Sequence, residues 1–265
     1  MKKCFCLLVF AALVFCLPSF SQDSLRNANW NEGTAQTYSS KRLELDLFQL
    51  SGYGISDRVS IYAHPLMIWL LPQVKVKVGW GIKNAFIFAT EHEVLYPTFF
   101  LSVVSTEGTG GLVSPEYHYP QMFSLYNALL VSRSPFKHSL LTAKAGVTFA
   151  VRFGSIDPNS TIDLPVIYPT LAPFYNSPEI IMGLDFRGRF YKVLGWQINA
   201  ECYFLTIKEN NFFFQNKGVL TYHAKKNKLK IEAGYKLCYG EYPYGNAWDL
   251  LPVVDVALGI NCGKK

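Results

Sequence analysis

Apolar and polar residues alternate along several segments of the chain with a period of two residues. The segment Val74–Ile82 places Val, Trp and Ile on one face, and Lys and Gly on the other. Successive side chains of a β-strand point to opposite faces, so this pattern predicts a strand with one apolar face. Three further segments alternate in the same way, namely Trp196–Phe204, Leu229–Tyr239 and Val254–Cys262. The chain is therefore predicted to be all-β.

The length of these strands favours a membrane barrel over a soluble sandwich. Each covers about 9–11 residues, the length of a tilted membrane strand, whereas strands of soluble sheets usually have about 5–6. Their polar faces carry Lys, Glu, Asp and Gln, where a small soluble barrel would place aliphatic residues. Aromatic residues lie at or near the ends of the apolar faces, as in the girdles of outer-membrane barrels; they are Trp80, Trp196, Phe204 and Tyr239. We predict an antiparallel transmembrane β-barrel.

The predicted connections alternate between short and long, as they do in outer-membrane barrels. Short turns are predicted at Ser134–Lys137, Tyr191–Gly195 and Lys225–Lys228. Long connections are predicted at Ser105–Phe123, Gly154–Ser177 and Gly240–Leu250.

The first half of the chain is less regular. Strands are predicted there at Arg42–Leu50, Arg58–His64, Val74–Ile82, Ala85–Glu91 and Phe99–Ser105. Because single-chain bacterial barrels have even strand numbers, we predict twelve strands, with ten as the alternative. In this arrangement the Ser51–Asp57 turn is external and the His64–Gln73 connection is periplasmic.

The N-terminal residues have the three-part layout of a secretory signal peptide. Lys2 and Lys3 precede an apolar run from Cys4 to Leu17, and Ser19 and Ser21 then occupy the −3 and −1 positions of a cut before Gln22. The apolar run is shorter than the roughly 20 residues that span a bilayer as a helix. We predict that residues 1–21 are removed, that residues 22–40 form a polar leader and that residues 41–265 form the barrel. The expected location is the outer membrane of a Gram-negative bacterium; a lipoprotein acylated at Cys16 is the alternative.

Composition and charge restrict the function only in part. The chain is 15% aromatic and 17% charged, which is more apolar than a soluble domain with about 25% charged residues. The net charge of +6 falls by two when the signal peptide is removed. The remaining positive charge is too small to indicate binding to nucleic acid. Cys202, Cys238 and Cys262 are odd in number and far apart, which predicts neither a disulfide framework nor a zinc site.

The stretch Tyr53–Ile61, Tyr-Gly-Ile-Ser-Asp-Arg-Val-Ser-Ile, carries a turn-and-strand signature. It resembles the form Tyr-Gly-Leu-Thr-Asp-Arg-Leu-Glu-Leu of bacterial outer-membrane barrels related to the phenol meta-pathway transporter-like proteins. The flanking motifs resemble a group of uncharacterised Bacteroidetes-type outer-membrane proteins; they are Gly33–Tyr38, Leu43–Leu45, His64-Pro65 and Leu71–Gln73.

The resemblance covers residues 33–80 and implies an outer-membrane barrel with, at most, passage of small hydrophobic molecules. It implies no catalytic residues, and it implies that the turn is periplasmic. Independently of the resemblance, we expect Gly54 to allow a positive φ in the turn. We also expect Asp57 or Ser56 to accept backbone hydrogen bonds there.

The sequence contains no recognisable catalytic motif. Neither GxSxG nor HExxH occurs, although either would signal a hydrolase. A carboxylate beside His92 could tune it for acid–base work, but on a strand Glu91 and Glu93 share one face and His92 points the other way. The acidic loop Asp157–Asp163 lacks the glycine and terminal glutamate of a calcium loop. We predict no enzyme activity, no cofactor and no metal.

Charged residues at inward positions are the candidate functional residues. The predicted lumen is lined by Lys75, Lys77, Glu201, Lys217, Lys230, Glu232 and Lys236. Such charges either line a hydrated pore or pair with one another in a closed polar core. Their excess of lysine would favour anions in an open pore.

Two functions follow from this interpretation. The first is an outer-membrane barrel that acts as a narrow channel or transporter for small solutes. The alternative is a non-conducting structural or adhesion barrel whose external loops bind a partner. The expected partners are outer-membrane lipid, the barrel-assembly machinery and a small-molecule cargo of unknown identity, without nucleic acid.

The segment Leu66–Leu71, between Pro65 and Pro72, is the densest apolar run after residue 21. A lipid-dipping loop, a short helix inserted in the lumen and a strand are all compatible with its sequence.

Overall fold

The computed structural model describes residues 31–108, 112–191, 193–205, 212–224 and 228–263. The predicted signal peptide, residues 22–30 of the predicted leader and residues 225–227 of a predicted turn lie outside these ranges. The strands are β1 (Arg42–Asp46), β2 (Ser51–Ser56), β3 (Val59–Ala63), β4 (Gln73–Lys83), β5 (Phe86–Leu95), β6 (Met122–Arg133), β7 (Ser139–Arg152), β8 (Glu179–Arg189), β9 (Leu194–Leu205), β10 (Phe212–Ala224), β11 (Leu229–Tyr242) and β12 (Gly245–Asn261). The helices in these ranges are α1 (Thr98–Val104) and α2 (Tyr168–Tyr175).

The strands form a sheet that closes on itself because the first and last strands pair. β1 and β12 are antiparallel, with Arg42 opposite Asn261 and Asp46 opposite Ala257. Every other strand pairs with its neighbours in chain order. The closure leaves no open edge. The predicted all-β, twelve-stranded antiparallel barrel is confirmed. None of the described helices is long and apolar enough to cross a membrane.

One of the twelve strands differs from the prediction. The predicted strand Phe99–Ser105 is wrong, because residues Thr98–Val104 form helix α1; their apolar residues follow one another without alternation. The missing strand is β2, which pairs with β1 and β3 inside the segment predicted as a turn. Its sequence, Ser-Gly-Tyr-Gly-Ile-Ser, is rich in glycine, which is depleted in strands and hides the alternation.

The position of β2 decides which connections share an end of the barrel. Antiparallel neighbours place successive connections at opposite ends, so residues 57–58 lie beside the paired ends of β1 and β12. We call this the short-turn end; it also holds the connections at 84–85 and 134–138. The opposite, long-loop end holds the connections 64–72, 96–121 and 153–178. The turn after β2 therefore shares an end with the short turns, and the His64–Gln73 connection shares an end with the long loops, so our grouping of these two connections is wrong. Which end faces the periplasm stays a prediction.

The predicted long loop Gly240–Leu250 is also wrong. β11 and β12 continue to pair until Tyr242 faces Gly245, so only two residues separate the strands. Gly245 has a φ of +136°, a conformation that glycine adopts without steric cost. The Pro- and Gly-containing sequence hid this extension of the hairpin because turn residues occur within it.

Residues 31–40, which we call the N-terminal segment, run inside the barrel at the short-turn end. The Ala35 amide donates to Ser132 Oγ at 2.8 Å, and the Tyr38 amide donates to Ser60 Oγ at 2.9 Å. Tyr38 is buried, and its ring packs 5.4 Å from the ring of Tyr62. The part of the predicted leader that the structure describes therefore fills lumen space.

Two glycines of β2 make room for this segment. A Cβ on Gly54 would lie 2.1 Å from the Ser39 carbonyl oxygen, and a Cβ on Gly52 would lie 2.2 Å from the Tyr38 ring. Gly54 belongs to a strand and has no positive φ, so our expectation for its backbone is wrong. The expected hydrogen bond in the turn is confirmed at Ser56, whose Oγ accepts from the Arg58 amide at 3.3 Å; Asp57 Oδ1 accepts from the amide of Ser40 in the N-terminal segment at 2.9 Å.

The long-loop end carries an apolar cluster built from α1, α2 and the strand ends. Its buried members are Leu95, Phe100, Leu101, Val113, Met122, Ile156, Ile162, Leu171 and Phe174. The Leu66–Leu71 segment forms turns rather than a strand, and Leu70 and Leu71 pack against this cluster. Trp69 points away from it and is 83% exposed.

We predict that Gly54→Ala displaces the N-terminal segment. The new methyl group would overlap backbone, and overpacking of this kind costs about 1–3 kcal/mol. Proteinase K should then cleave the folded barrel within residues 31–40 roughly tenfold faster, as measured by mass spectrometry of the fragments. The matched control is Gly183→Ala, whose Cβ would meet only the flexible side chains of Glu201 and Lys144. Equal cleavage rates for the two variants would contradict this role of Gly54.

Candidate functional site

The outward face of the barrel is apolar and exposed. Its members include Val74, Val94, Leu125, Leu129, Ile180, Ile198, Leu220, Val254 and Leu258. Soluble monomers rarely expose a continuous apolar surface of this extent. The band is the surface that a membrane barrel presents to lipid.

Aromatic residues border this band at both ends. At the long-loop end, ring contacts connect neighbouring strands through Phe204, Phe212, Tyr239 and Trp248. At the short-turn end, Phe186 contacts both Phe136 and Trp196. Trp196 and Phe204 lie eight residues apart on β9, which at about 3.3 Å per residue and a tilt of about 40° separates them by roughly 20 Å along the barrel axis. This approaches the height of the apolar band of a membrane barrel, about 25 Å.

The lumen contains a cavity of about 580 Å³. Gln36 and Tyr38 of the N-terminal segment line it from one side, and Pro169 and Pro173 of α2 line it from the other. The cavity therefore lies between two parts of the chain that enter the barrel from opposite ends.

Carboxylates outnumber cations among the described residues that line this cavity. The nine carboxylates are Glu32, Glu44, Asp46, Glu91, Glu93, Glu179, Asp185, Glu201 and Glu232. The six cationic side chains are Lys75, Lys144, Arg187, Arg189, Lys217 and Lys230. Our expectation of an excess of lysine is wrong, because strands without a clean alternation contribute additional acids. By formal charge, the described lining of the cavity is therefore acidic rather than basic.

Two ion pairs connect β4 and β5 directly across the sheet. Lys75 Nζ lies 3.2 Å from Glu93, and Lys77 Nζ lies 3.3 Å from Glu91; both pairs are opposite one another in register. The Lys77 side chain is 0% exposed and also donates to the Asn31 carbonyl at 3.0 Å. Lys77 therefore joins the sheet to the N-terminal segment.

The opposite wall carries a second network of charges. Lys230 Nζ lies 3.1 Å from Glu232 and 3.6 Å from Asp46, so it links β11 to β1. Lys217 lies 3.6 Å from Glu232. Between the two walls, Lys144 donates a hydrogen bond to Glu201. These contacts pair charges within one strand, between neighbouring strands and between strands that are separated by a third one.

The structure brings most of the predicted lumen residues together. Lys75, Glu201, Lys217, Lys230 and Glu232 line the cavity. Lys77 is fully buried beside it, and Lys236 is half-buried on the inward face of β11 without lining it. Whether these side chains line a conducting path stays a prediction.

Sequence reasoning missed several lining residues on β7 and β8. Glu179, Asp185 and Arg187 occupy alternate inward positions of β8, so the period of two was the available signal. This alternation was obscured because two inward positions of β8 carry residues that are not polar, namely Ile181 and Gly183.

His92 points away from the lumen, as the strand alternation predicts. Its Nδ1 lies 2.8 Å from Asn127 Oδ1, whereas Glu91 and Glu93 pair with inward lysines. Over the ranges that the structure covers, no group of three or more His, Cys, Asp or Glu residues could hold a metal ion. The three cysteines there are free thiols; they are Cys202, Cys238 and Cys262.

No protein-family model and no curated protein matches the chain. A similar solved structure is OccK11 (OpdR) of Pseudomonas aeruginosa, 10% identical over 88% of this chain with a TM-score of 0.40. The outer membrane channel DcaP of Acinetobacter baumannii is 10% identical over 87%, with a TM-score of 0.36. The chain spans 61% and 64% of their lengths. A mutant porin of Rh. blastica is 6% identical over 83% of this chain and 97% of its own, with a TM-score of 0.20.

These likenesses assign no solute, because they are distant in sequence and in geometry. The class that the geometry itself defines is a closed twelve-stranded antiparallel β-barrel with an apolar outer band and a charged lumen. The resemblance to the meta-pathway transporter-like and Bacteroidetes-type barrels stays a prediction.

We predict that Lys77→Met destabilises the barrel by about 3–5 kcal/mol, because it leaves Glu91 as an uncompensated buried charge. Urea unfolding in detergent micelles, followed by tryptophan fluorescence, measures the loss. The double variant Lys77→Met/Glu91→Met should recover much of it, since both charges are then removed. The matched control is Lys83→Met, at an exposed position of the same strand, which should change stability by less than about 0.5 kcal/mol. Similar losses at Lys77 and Lys83 would refute the role of the buried pair.

Proposed function

We propose that the chain is an outer-membrane β-barrel that acts as a narrow channel or transporter for small solutes. The observation that carries this proposal is the combination of a lipid-type outer band with a charge-lined cavity inside a closed sheet. A charged interior is what hydrated barrels have, whereas the interior of a small soluble barrel is filled by aliphatic side chains.

The proposed location is the outer membrane of a Gram-negative bacterium, after removal of residues 1–21. The apolar band would contact lipid there, and the barrel-assembly machinery would insert the chain. Backbone groups in a bilayer have no water to bind, so a strand protein must close its sheet before it can span. The β1–β12 pairing meets this requirement.

The channel is narrow because the chain itself occupies both ends of the lumen. The N-terminal segment fills the short-turn end, and α2 reaches the cavity from the long-loop end. Solutes that pass must therefore be small, or one of these two elements must move.

A second candidate function is a non-conducting barrel whose external loops bind a partner. The observation that favours it is the pairing of charges along the inner wall, as in Lys75–Glu93 and Lys230–Asp46, which is also what a closed polar core requires. The apolar cluster of α1 and α2 would then hold the external loops in the conformation that binds the partner.

Membrane location is tested by fractionation and by gel mobility. The mature protein should be found in the outer-membrane fraction and should migrate differently when it is boiled, because a closed hydrogen-bonded sheet resists detergent until it is heated. Recovery in the soluble periplasm, or identical mobility before and after boiling, would contradict the barrel in a membrane.

Channel activity is tested by conductance in planar bilayers. The full chain should give small single-channel steps, and removal of residues 31–38 should make them several-fold larger because the lumen widens. Gly54→Ala should act in the same direction as the deletion, because it displaces the same segment. Silence of both the full chain and the deletion variant at high protein load would refute the channel and favour the non-conducting barrel.

A further inference from the structure

The connection between β3 and β4 differs in chemistry from the loops around it. Residues 65–72, which we call the apolar turn, read Pro-Leu-Met-Ile-Trp-Leu-Leu-Pro, so every one of them is apolar or aromatic. The two longest connections at the same end of the barrel carry charged residues, such as Glu107 on 96–121 and Asp157 on 153–178. Loops that face water are normally polar. The composition of the apolar turn therefore suits contact with something other than water.

Hydrogen bonds fix the conformation of the apolar turn and occupy most of its amide groups. His64 precedes the turn, and its Nδ1 accepts from the amides of Leu66 and Met67, both at 3.2 Å. The backbone carbonyls of His64 and Met67 accept further amides at 2.7–3.1 Å; the donors are Ile68, Leu70 and Leu71. The two prolines have no amide N–H. Peptide groups that are paired in this way can approach a bilayer, where unpaired ones are costly.

The apolar turn has one covered face and one uncovered face. Leu70 and Leu71 pack against the apolar cluster of the long-loop end. Leu66 and Trp69 are three residues apart, a spacing that places them on the same side of a helical turn. They are 60% and 83% exposed. Two large hydrophobic side chains thus form the face that the described residues leave uncovered.

The apolar turn is attached to the aromatic border of the outward band. The Tyr96 amide donates to the Pro72 carbonyl at 2.9 Å, which ties the turn to the end of β5. The ring of Tyr96 lies 5.0 Å from the ring of Phe123, which lies 6.4 Å from the ring of Phe153. Both phenylalanines are exposed, as is Val74 of the apolar band, two residues after Pro72. The turn therefore begins where the outward apolar band ends.

We infer that Leu66 and Trp69 insert into the boundary between headgroups and acyl chains of the bilayer leaflet at the long-loop end, so that the apolar turn binds lipid. The uncovered hydrophobic face and its continuity with the outward band carry this inference. Tryptophan favours that boundary, because its ring is apolar and its N–H can donate to headgroups or water. The inference rests on the proposed membrane location and is independent of channel activity.

The test compares the fluorescence of the full-length mature protein with that of Trp69→Phe, both in phosphatidylcholine vesicles. The lipid is either plain or brominated in the upper part of its acyl chains, and iodide is the water-soluble quencher. The difference between the two proteins is the emission of Trp69. This component should be quenched by the brominated lipid and protected from iodide. Phe keeps an apolar ring at an exposed position, so the substitution leaves the fold intact.

A charge on the uncovered face should drive the turn out of the lipid. Leu66→Glu should lower the quenching of Trp69 by brominated lipid and raise its quenching by iodide, because a carboxylate is unfavourable near acyl chains. Each variant is compared with the same variant carrying Trp69→Phe. The matched control is Leu112→Glu, at an exposed leucine of another connection, which should leave both values unchanged. Equal effects of the two glutamates would overturn the inference, because net charge alone would explain them.

The outcomes separate this inference from the proposed function. Suppose that brominated lipid quenches the other tryptophans, but that Trp69 responds only to iodide. The turn then faces water, and the inference is overturned while the membrane barrel stands. Protection of Trp69 from both quenchers would also overturn it, because protein, such as a second copy of the chain, would then cover the face. If brominated lipid quenches no tryptophan at all, the membrane location is contradicted and the inference falls with it.

Discussion

Closure of the sheet is the constraint on which the rest of the structure depends. In hydrocarbon, each unpaired backbone N–H or C=O group costs several kcal/mol, so every edge of a spanning sheet must find a partner. The chain meets this through the short strand β1, which pairs with both β12 and β2. The closed sheet then divides the side chains into two populations: those that face lipid are apolar, and those that face inward enclose a space that must be filled, hydrated or charge-paired.

The interior of the barrel is partly filled by chain and partly charge-paired, and the rest of it is a cavity. The N-terminal segment fills the short-turn end, and glycines of β2 give it the room to do so. Charge pairs within and between strands compensate the buried lysines, with Lys77 linking the sheet to the inserted segment. The remaining space is the cavity, whose described lining has more carboxylates than cationic side chains. Most of the lumen thus has the character of a stable polar core.

This division bears on the choice between a channel and a structural barrel. Paired charges hold the strands together and need no solute to explain them. Among the described residues, Glu179 takes part in no ion pair and the Tyr126 hydroxyl has no hydrogen-bond partner, so the pairing of polar groups inside the barrel is not complete.

The sequence by itself determined the class of fold, the outward apolar residues and the inward position of most of the chosen charges. This was possible because the period of two is a local property: Lys75 and Lys230 face inward whatever strand lies next to them. The sequence did not determine which glycine-rich or apolar segment became a strand, so β2 and α1 were interchanged. Only the tertiary structure placed residues 31–40 in the lumen, gave Glu93 a lysine and left Glu179 without one. These outcomes depend on the register between paired strands and on the closure of β1 against β12, and the alternation within one strand determines neither of them.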